Sequence, residues 1–168
     1  MFLKTKINNY KEVNKNLLSL INKMPKRKLK TRYKNMSNSD WDIPRDFKRD
    51  YLDYFYKIIE PYMGELAKGF NSKKWTINNC WFQQYKKLDN HEWHTHPQTN
   101  FTNVYFVELP SKSIGTEVLN TKNLNLKEGD LLTFPGYFYH RSPVNFTNKR
   151  KTIISFNSDF YDYNKGDK

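Results

Sequence analysis

The sequence predicts an α+β fold, mainly β, in which helices come first and a jelly-roll barrel follows. Two observations carry this. Apolar residues recur at three- and four-residue spacings through most of the first 70 positions. From Lys74 the pattern changes to short aromatic and β-branched runs separated by turn signals. Residues 1–73 read as a helical elaboration packed on one sheet, and 74–168 as the barrel core. At 168 residues the two make one structural domain, and a 17% aromatic content implies a core rich in Phe, Tyr and Trp.

Residues 1–10 read as a short edge strand or arm. Val13, Leu17, Leu18, Ile21 and Met24 predict a helix over 11–24 that Pro25 stops. The run from Lys26 to Lys34 is the densest in cations; it reads as a solvated loop or edge strand, or as a patch for nucleic acid. Residues 35–42 form a polar loop around Trp41, which either packs inward or contacts substrate. Phe47, Tyr51, Phe55, Ile58, Ile59, Tyr62 and Leu66 predict a second helix over 46–69, kinked or split at Pro61 and capped by Gly69. Strands are then expected at 75–85, 91–96, 102–109, 114–119, 131–134, 137–141 and 151–160, with turns at 86–90, 120–123 and Gly129-Asp130.

The formal charge is +12. A basic surface attracts polyanions, so nucleic acid is one candidate partner. The abundance of Lys, Asn, Ile, Tyr and Phe also fits a bias of base composition. Cys80 is the only cysteine, which excludes an intrachain disulfide and suits a reducing, cytoplasmic setting; it reads as a core thiol. The N-terminus has no apolar core of a secretion signal, and no run approaches the roughly 18 apolar residues of a spanning helix.

Three of four histidines lie in His91-Glu92-Trp93-His94-Thr95-His96-Pro97, and the fourth is His140. Residues i and i+2 of a strand share a face, so His94 and His96 can present two imidazoles to one ion. His140, among aromatic strand residues, can close the site from a neighbouring strand. Imidazole suits Fe, Zn, Cu and Ni, so ligand type alone does not choose the metal.

The ordered set His94-Thr95-His96, His140 and Arg150-Lys151-Thr152 resembles the Fe(II)/2-oxoglutarate-dependent oxygenase family, in particular its small bacterial and phage members. Arg150 follows His140 by ten positions, as the family's Arg or Lys does, and Thr152 stands at its Ser/Thr position. Gly129 to Pro135 matches the Gly-x-Leu-x-x-Phe-Pro segment of those members. The match covers about residues 75–160. The resemblance implies a double-stranded β-helix core and a dioxygenase, most simply a hydroxylase, that uses Fe(II), 2-oxoglutarate and O2. It implies metal ligation by His94, His96 and His140. His96 departs from the pattern, because the wider family has a carboxylate there. Arg150 and Thr152 would grip the distal carboxylate of 2-oxoglutarate, and Tyr85 or Tyr105 would bond the same co-substrate. Leu132, Phe134, Ile154 and Phe156 would wall the site, joined by Phe106 if Tyr105 faces outward. The substrate class stays open between a small molecule, a peptidyl residue, a nucleobase and a lipid.

Two other readings share parts of this pattern. A cupin-like metalloprotein has the barrel, the His-x-His pair and the distal His, but its usual Glu is absent from Pro97 to Phe101. A basic nucleic-acid-binding module would use the run at 26–34 and need no metal.

Overall fold

The computed structural model describes residues 2–122 and 124–162. Helix α1 spans Tyr10–Ile21 and buries Val13, Leu17 and Ile21. It ends before Pro25, because Lys23 and Met24 donate to the Leu20 and Ile21 carbonyls and tighten the chain into turns. Helix α2 spans Asp50–Gly69 and buries Tyr51, Phe55, Ile59, Met63 and Ala67, one per turn. It starts four residues later than its apolar spacing suggests. The Arg49 guanidinium holds the carbonyls of Ile43, Pro44 and Phe47 at 2.7, 3.1 and 3.0 Å and keeps that stretch a loop. Pro61 does not split α2. Pro61 and Lys57 both lie on the exposed side, so the carbonyl that loses its donor is on the solvent face of the helix.

Two antiparallel sheets form a double-stranded β-helix. The strands are β1 (Leu3–Lys6), β2 (Leu29–Lys30), β3 (Lys34–Met36), β4 (Asn38–Ser39), β5 (Lys74–Tyr85), β6 (Asn90–His94), β7 (Phe101–Glu108), β8 (Glu117–Val118), β9 (Asp130–Pro135), β10 (His140–Ser142) and β11 (Lys151–Tyr161). The major sheet runs β1-β9-β7-β11-β5-β4 and the minor sheet β2-β3-β6-β10-β8. Four short strands of the first 73 residues thus complete both sheets. The stretch 114–119 is mostly a turn: a 3-10 segment at Lys112–Ile114 precedes the two residues of β8. The expected strand at 137–141 begins only at His140, after a turn in which Phe138 donates to Pro135.

The major sheet is buried on both faces. Its outer face packs on the helices through Phe82, Tyr105, Val107, Leu131, Ile154 and Phe156. Each such side chain contributes about 1.5–3 kcal/mol by leaving water. Cys80 packs against this outer layer. The inner face meets the minor sheet through Tyr85, Val104, Phe106, Leu132, Phe134 and Ile153. Ile154 and Phe156 therefore belong to the helix layer, not to the barrel wall where their β-rich run placed them. Alternation along β11 turns them away from Ile153. Tyr105 faces outward and Phe106 inward.

Candidate metal centre

Strands β6 and β10 lie side by side in the minor sheet, with His94 opposite His140. The register slips between His140 and Ser142, so β6 carries an extra residue and His91 falls opposite Ser142. The bulge returns His91 to the face of His94, and the two rings stack with centroids 3.7 Å apart. His96 lies just beyond β6. Its backbone N–H donates to the Gly136 carbonyl at 2.7 Å. A Cβ on Gly136 would sit 2.6 Å from the carbonyl oxygens of His96 and Thr99, so only glycine admits this approach.

The structure brings His94, His96 and His140 together, with one ligand nitrogen from each within 4.8 Å of the others. Each Nδ1 faces an oxygen acceptor. His94 donates to the Glu92 carbonyl at 2.7 Å, His140 to the Phe138 carbonyl at 3.0 Å, and His96 to Asn157 Oδ1 at 2.6 Å. Thr102 Oγ1 lies 3.1 Å from the same His96 nitrogen. A carbonyl can only accept, so Nδ1 carries the proton and Nε2 is free to bind a metal. Burial pushes the pKa of His94 down to about 4 and that of His140 to about 3, and it lowers His96 as well. All three are neutral near pH 7, the state a ligand requires.

Below this cluster the inward residues of β5 and β11 are Gln83, Tyr85, Lys151, Ile153 and Ser155, with Lys151 opposite Tyr85. Lys151 is fully buried. Its Nζ donates to the Ile114 carbonyl at 2.6 Å and to Ser142 Oγ at 2.8 Å, and lies 5.2 Å from the centre of the Tyr85 ring. It has no ion-pair partner among the described residues. Glu117, the carboxylate that acts on it through space, is bound to Arg141 at 2.7 Å. Burial pushes the Lys151 pKa down to about 7. The buried Tyr85 hydroxyl lies near Ser142 without a well-aligned hydrogen bond, and Ser142 Oγ already accepts from Lys151.

The structure turns three of the expected co-substrate residues, Arg150, Thr152 and Tyr105, away from the histidine face. The Arg150 guanidinium is bound in bidentate fashion to Glu108 at 2.8 and 3.1 Å, and Thr152 also donates to Glu108. Both lie on the opposite face of β11 from Lys151, as strand alternation requires. Tyr105 points into the helix layer, where its hydroxyl donates to Asn14 Oδ1 at 2.6 Å. The Glu92 carbonyl accepts from His94, and its carboxylate accepts from Asn90. Sequence reasoning missed Lys151, Asn157 and Trp81, whose ring centre lies 5.8 Å from that of His96. Strand parity groups Lys151 with 153, 155 and Asn157, but the sequence carries no signal for which of the two faces of β11 meets the histidines.

Phe134 packs edge-on to His140 with ring centres 4.8 Å apart. The cleft between the histidines, Gln83 and Tyr85 has a free volume of about 20 Å³, room for an ion or one water. A wider groove of about 590 Å³ runs beside β8, and Thr116 borders both spaces.

No protein-family profile matches the chain, and no curated protein matches it. Solved structures do. A viral collagen prolyl hydroxylase from Paramecium bursaria Chlorella virus-1, in a 2OG complex, superposes with a TM-score of 0.64 at 16% identity, over 94% of each chain. A Pseudomonas putida prolyl-4-hydroxylase gives 0.67 at 9% identity, over 97% of this chain and 93% of that one. The non-heme alpha-ketoglutarate-dependent epimerase SnoN of nogalamycin biosynthesis gives 0.70 at 10% identity, over 94% and 76%. The chain thus has the double-stranded β-helix fold of these 2-oxoglutarate-dependent enzymes.

Proposed function

We propose that the chain is an Fe(II)- and 2-oxoglutarate-dependent oxygenase that hydroxylates its substrate. The observation that carries this reading is the buried Lys151 amine beneath three converging imidazoles, with no carboxylate of its own. Burial holds its pKa near 7, and a bound anion would draw it to the charged form. A metal at the histidines and an anion at Lys151 together describe a bidentate acid bound at both ends.

In this reading His94, His96 and His140 hold the metal through Nε2. Their neutrality leaves its double charge undiminished, which favours an anionic co-substrate even though the usual carboxylate ligand is absent. Lys151 donates to the distal carboxylate in place of Arg150 and Thr152, and the Tyr85 hydroxyl donates to the same co-substrate as its sequence position implied. When bound, Fe(II) with 2-oxoglutarate and O2 supplies an oxidant for C–H bonds, and the diacid leaves as succinate and CO2. The chain fixes the three imidazoles through the Glu92, Phe138 and Asn157 acceptors. Phe106, Leu132, Phe134 and Ile153 keep water from the interior. A five-carbon diacid exceeds the free volume of the cleft, so its binding turns inner side chains aside.

The test is succinate formation with Fe(II) and 2-oxoglutarate, alongside calorimetric 2-oxoglutarate binding with Mn(II) in place of Fe(II). The expected result is iron-dependent succinate and a complex that Lys151→Met weakens about 30-fold or more. Absence of both turnover and binding would overturn the reading. The cupin-like alternative predicts metal binding that is indifferent to Lys151.

A further inference from the structure

The positive charge is concentrated. Residues 1–49 hold fourteen of the 29 Lys and Arg but four of the 17 Asp and Glu, so they carry +10 of the net +12. A bias of base composition would spread lysine along the chain. Within this stretch, seven cations from Lys23 to Lys34 occur with no carboxylate among them, and none forms an ion pair with a described residue.

The fold sets this segment beside the histidines. Strands β2 and β3 form a hairpin at the edge of the minor sheet, and β3 pairs with β6, placing Lys34 opposite His91. Exposed aromatic rings alternate with the cations. The Arg32 guanidinium lies 5.6 Å from the centre of the Tyr33 ring, which is 62% exposed. Lys34 Nζ lies 5.6 Å from that of Trp41, which is 48% exposed. Trp41 in turn packs edge-on to Trp81 with ring centres 4.6 Å apart, and Trp81 reaches His96. Trp41, Trp81, Tyr56, Arg45 and Asn79 border a cavity of about 230 Å³. The Asn79 Oδ1 atom is buried with no donor.

We propose that this edge binds single-stranded nucleic acid, with its phosphates along the β2–β3 hairpin and one base in the Trp41 cavity. Cations that track a backbone and aromatic faces that take successive bases are what such strands require. A base offers ring or exocyclic N–H donors that match Asn79 Oδ1. With one base beside Trp81, the adjoining nucleotide lies at the histidine cleft. That this nucleotide is the group oxidised rests on the oxygenase reading; the binding itself does not.

The experiment is fluorescence anisotropy of the full chain with labelled single-stranded DNA and RNA of about twelve nucleotides, without added iron or 2-oxoglutarate. Competitors are the matching duplex, poly-glutamate, and phosphatidylserine vesicles. Binding should weaken steeply between about 50 and 200 mM salt. The triple variant Lys28→Ala/Lys30→Ala/Arg32→Ala, all exposed positions, should lower the salt slope by about two. Trp41→Ala should weaken binding about 5- to 100-fold while keeping the slope. Thermal melting of each variant shows that it is folded. Failure to bind either strand at low salt overturns the proposal. So does competition by duplex, poly-glutamate or vesicles equal to that of the single strand, or a Trp41→Ala variant that binds as wild type. Because no iron or 2-oxoglutarate is present, this outcome is independent of succinate formation.

Discussion

The two faces of the major sheet treat polar groups in opposite ways. On the helix side the charges of Asp40, Arg49, Glu108 and Arg150 are matched, whether buried or partly exposed. Asp40 accepts from Arg49 at 2.9 Å, from Tyr51 at 2.6 Å and from the Phe82 N–H at 2.9 Å, and Arg150 is held by Glu108. On the barrel side Lys151 has no carboxylate, the Tyr85 hydroxyl has only Ser142 nearby and no well-aligned bond, and three imidazoles bring a ligand nitrogen each to within 4.8 Å of the others. Polar groups satisfied by the chain itself serve folding. Groups left wanting in a dry interior lower stability unless something else is bound there. The contrast separates the residues that hold the fold from those proposed for the site without reference to any relative.

That contrast can be broken by substitution. The largest effect is expected for His140→Ala, which removes one of three imidazoles. Mn(II) affinity, read by calorimetry, should fall by more than about 100-fold, beyond the 10–100-fold typical of losing a supporting residue. Asp40→Ala strikes the helix side. It strands Arg49, whose side chain is 10% exposed, and should cost about 3–5 kcal/mol in urea unfolding while the folded fraction still binds Mn(II) normally.

Lys151→Met tests the barrel side and should do the reverse. Affinity for 2-oxoglutarate should fall about 30-fold or more, while the unliganded protein melts no lower than wild type. The pH dependence carries the same sign. The Lys151 pKa is about 7 when folded, against an ordinary 10.5. Between those values the unfolded chain binds more protons, so the unliganded wild type should gain stability as pH rises from about 7 to 10. Lys151→Met should lose that gain, which melting across the pH range would show.

Asn157→Ala should be milder. It removes the acceptor that orients His96, so Mn(II) affinity should drop about 10- to 100-fold with the other two ligands intact. Arg150→Ala should be the mildest. Its ion pair with Glu108 is partly exposed, at 32% and 25% of the side chains, and should be worth about 1 kcal/mol or less. Its 2-oxoglutarate affinity should stay within about threefold of wild type. A large loss in this variant would return the co-substrate role to Arg150.

The barrel was legible because hydrophobic period is a local signal. The change of pattern at Lys74 coincides with the first residue of β5. The histidines could be assigned to one barrel because the chain has only four. Orientation along β11 was not legible. Lys149-Arg150-Lys151 offers three cations in a row, and a strand buried on both faces shows no alternation to choose among them. The placement of His91 depends on a bulge, which inserts one residue into the register and has no marker in composition. The contact between Trp41 and Trp81 joins residues 40 positions apart and follows only from the topology.

The three imidazoles are not mounted alike. His94 and His140 face each other within a strand ladder, while His96 hangs on the single backbone bond to Gly136 and on Asn157. Under the proposed ligation, the ladder pair would hold an ion with little adjustment, and the His96 arm would be the part that yields. The residence time of a bound metal would then follow how firmly Gly136 lets two pieces of backbone meet.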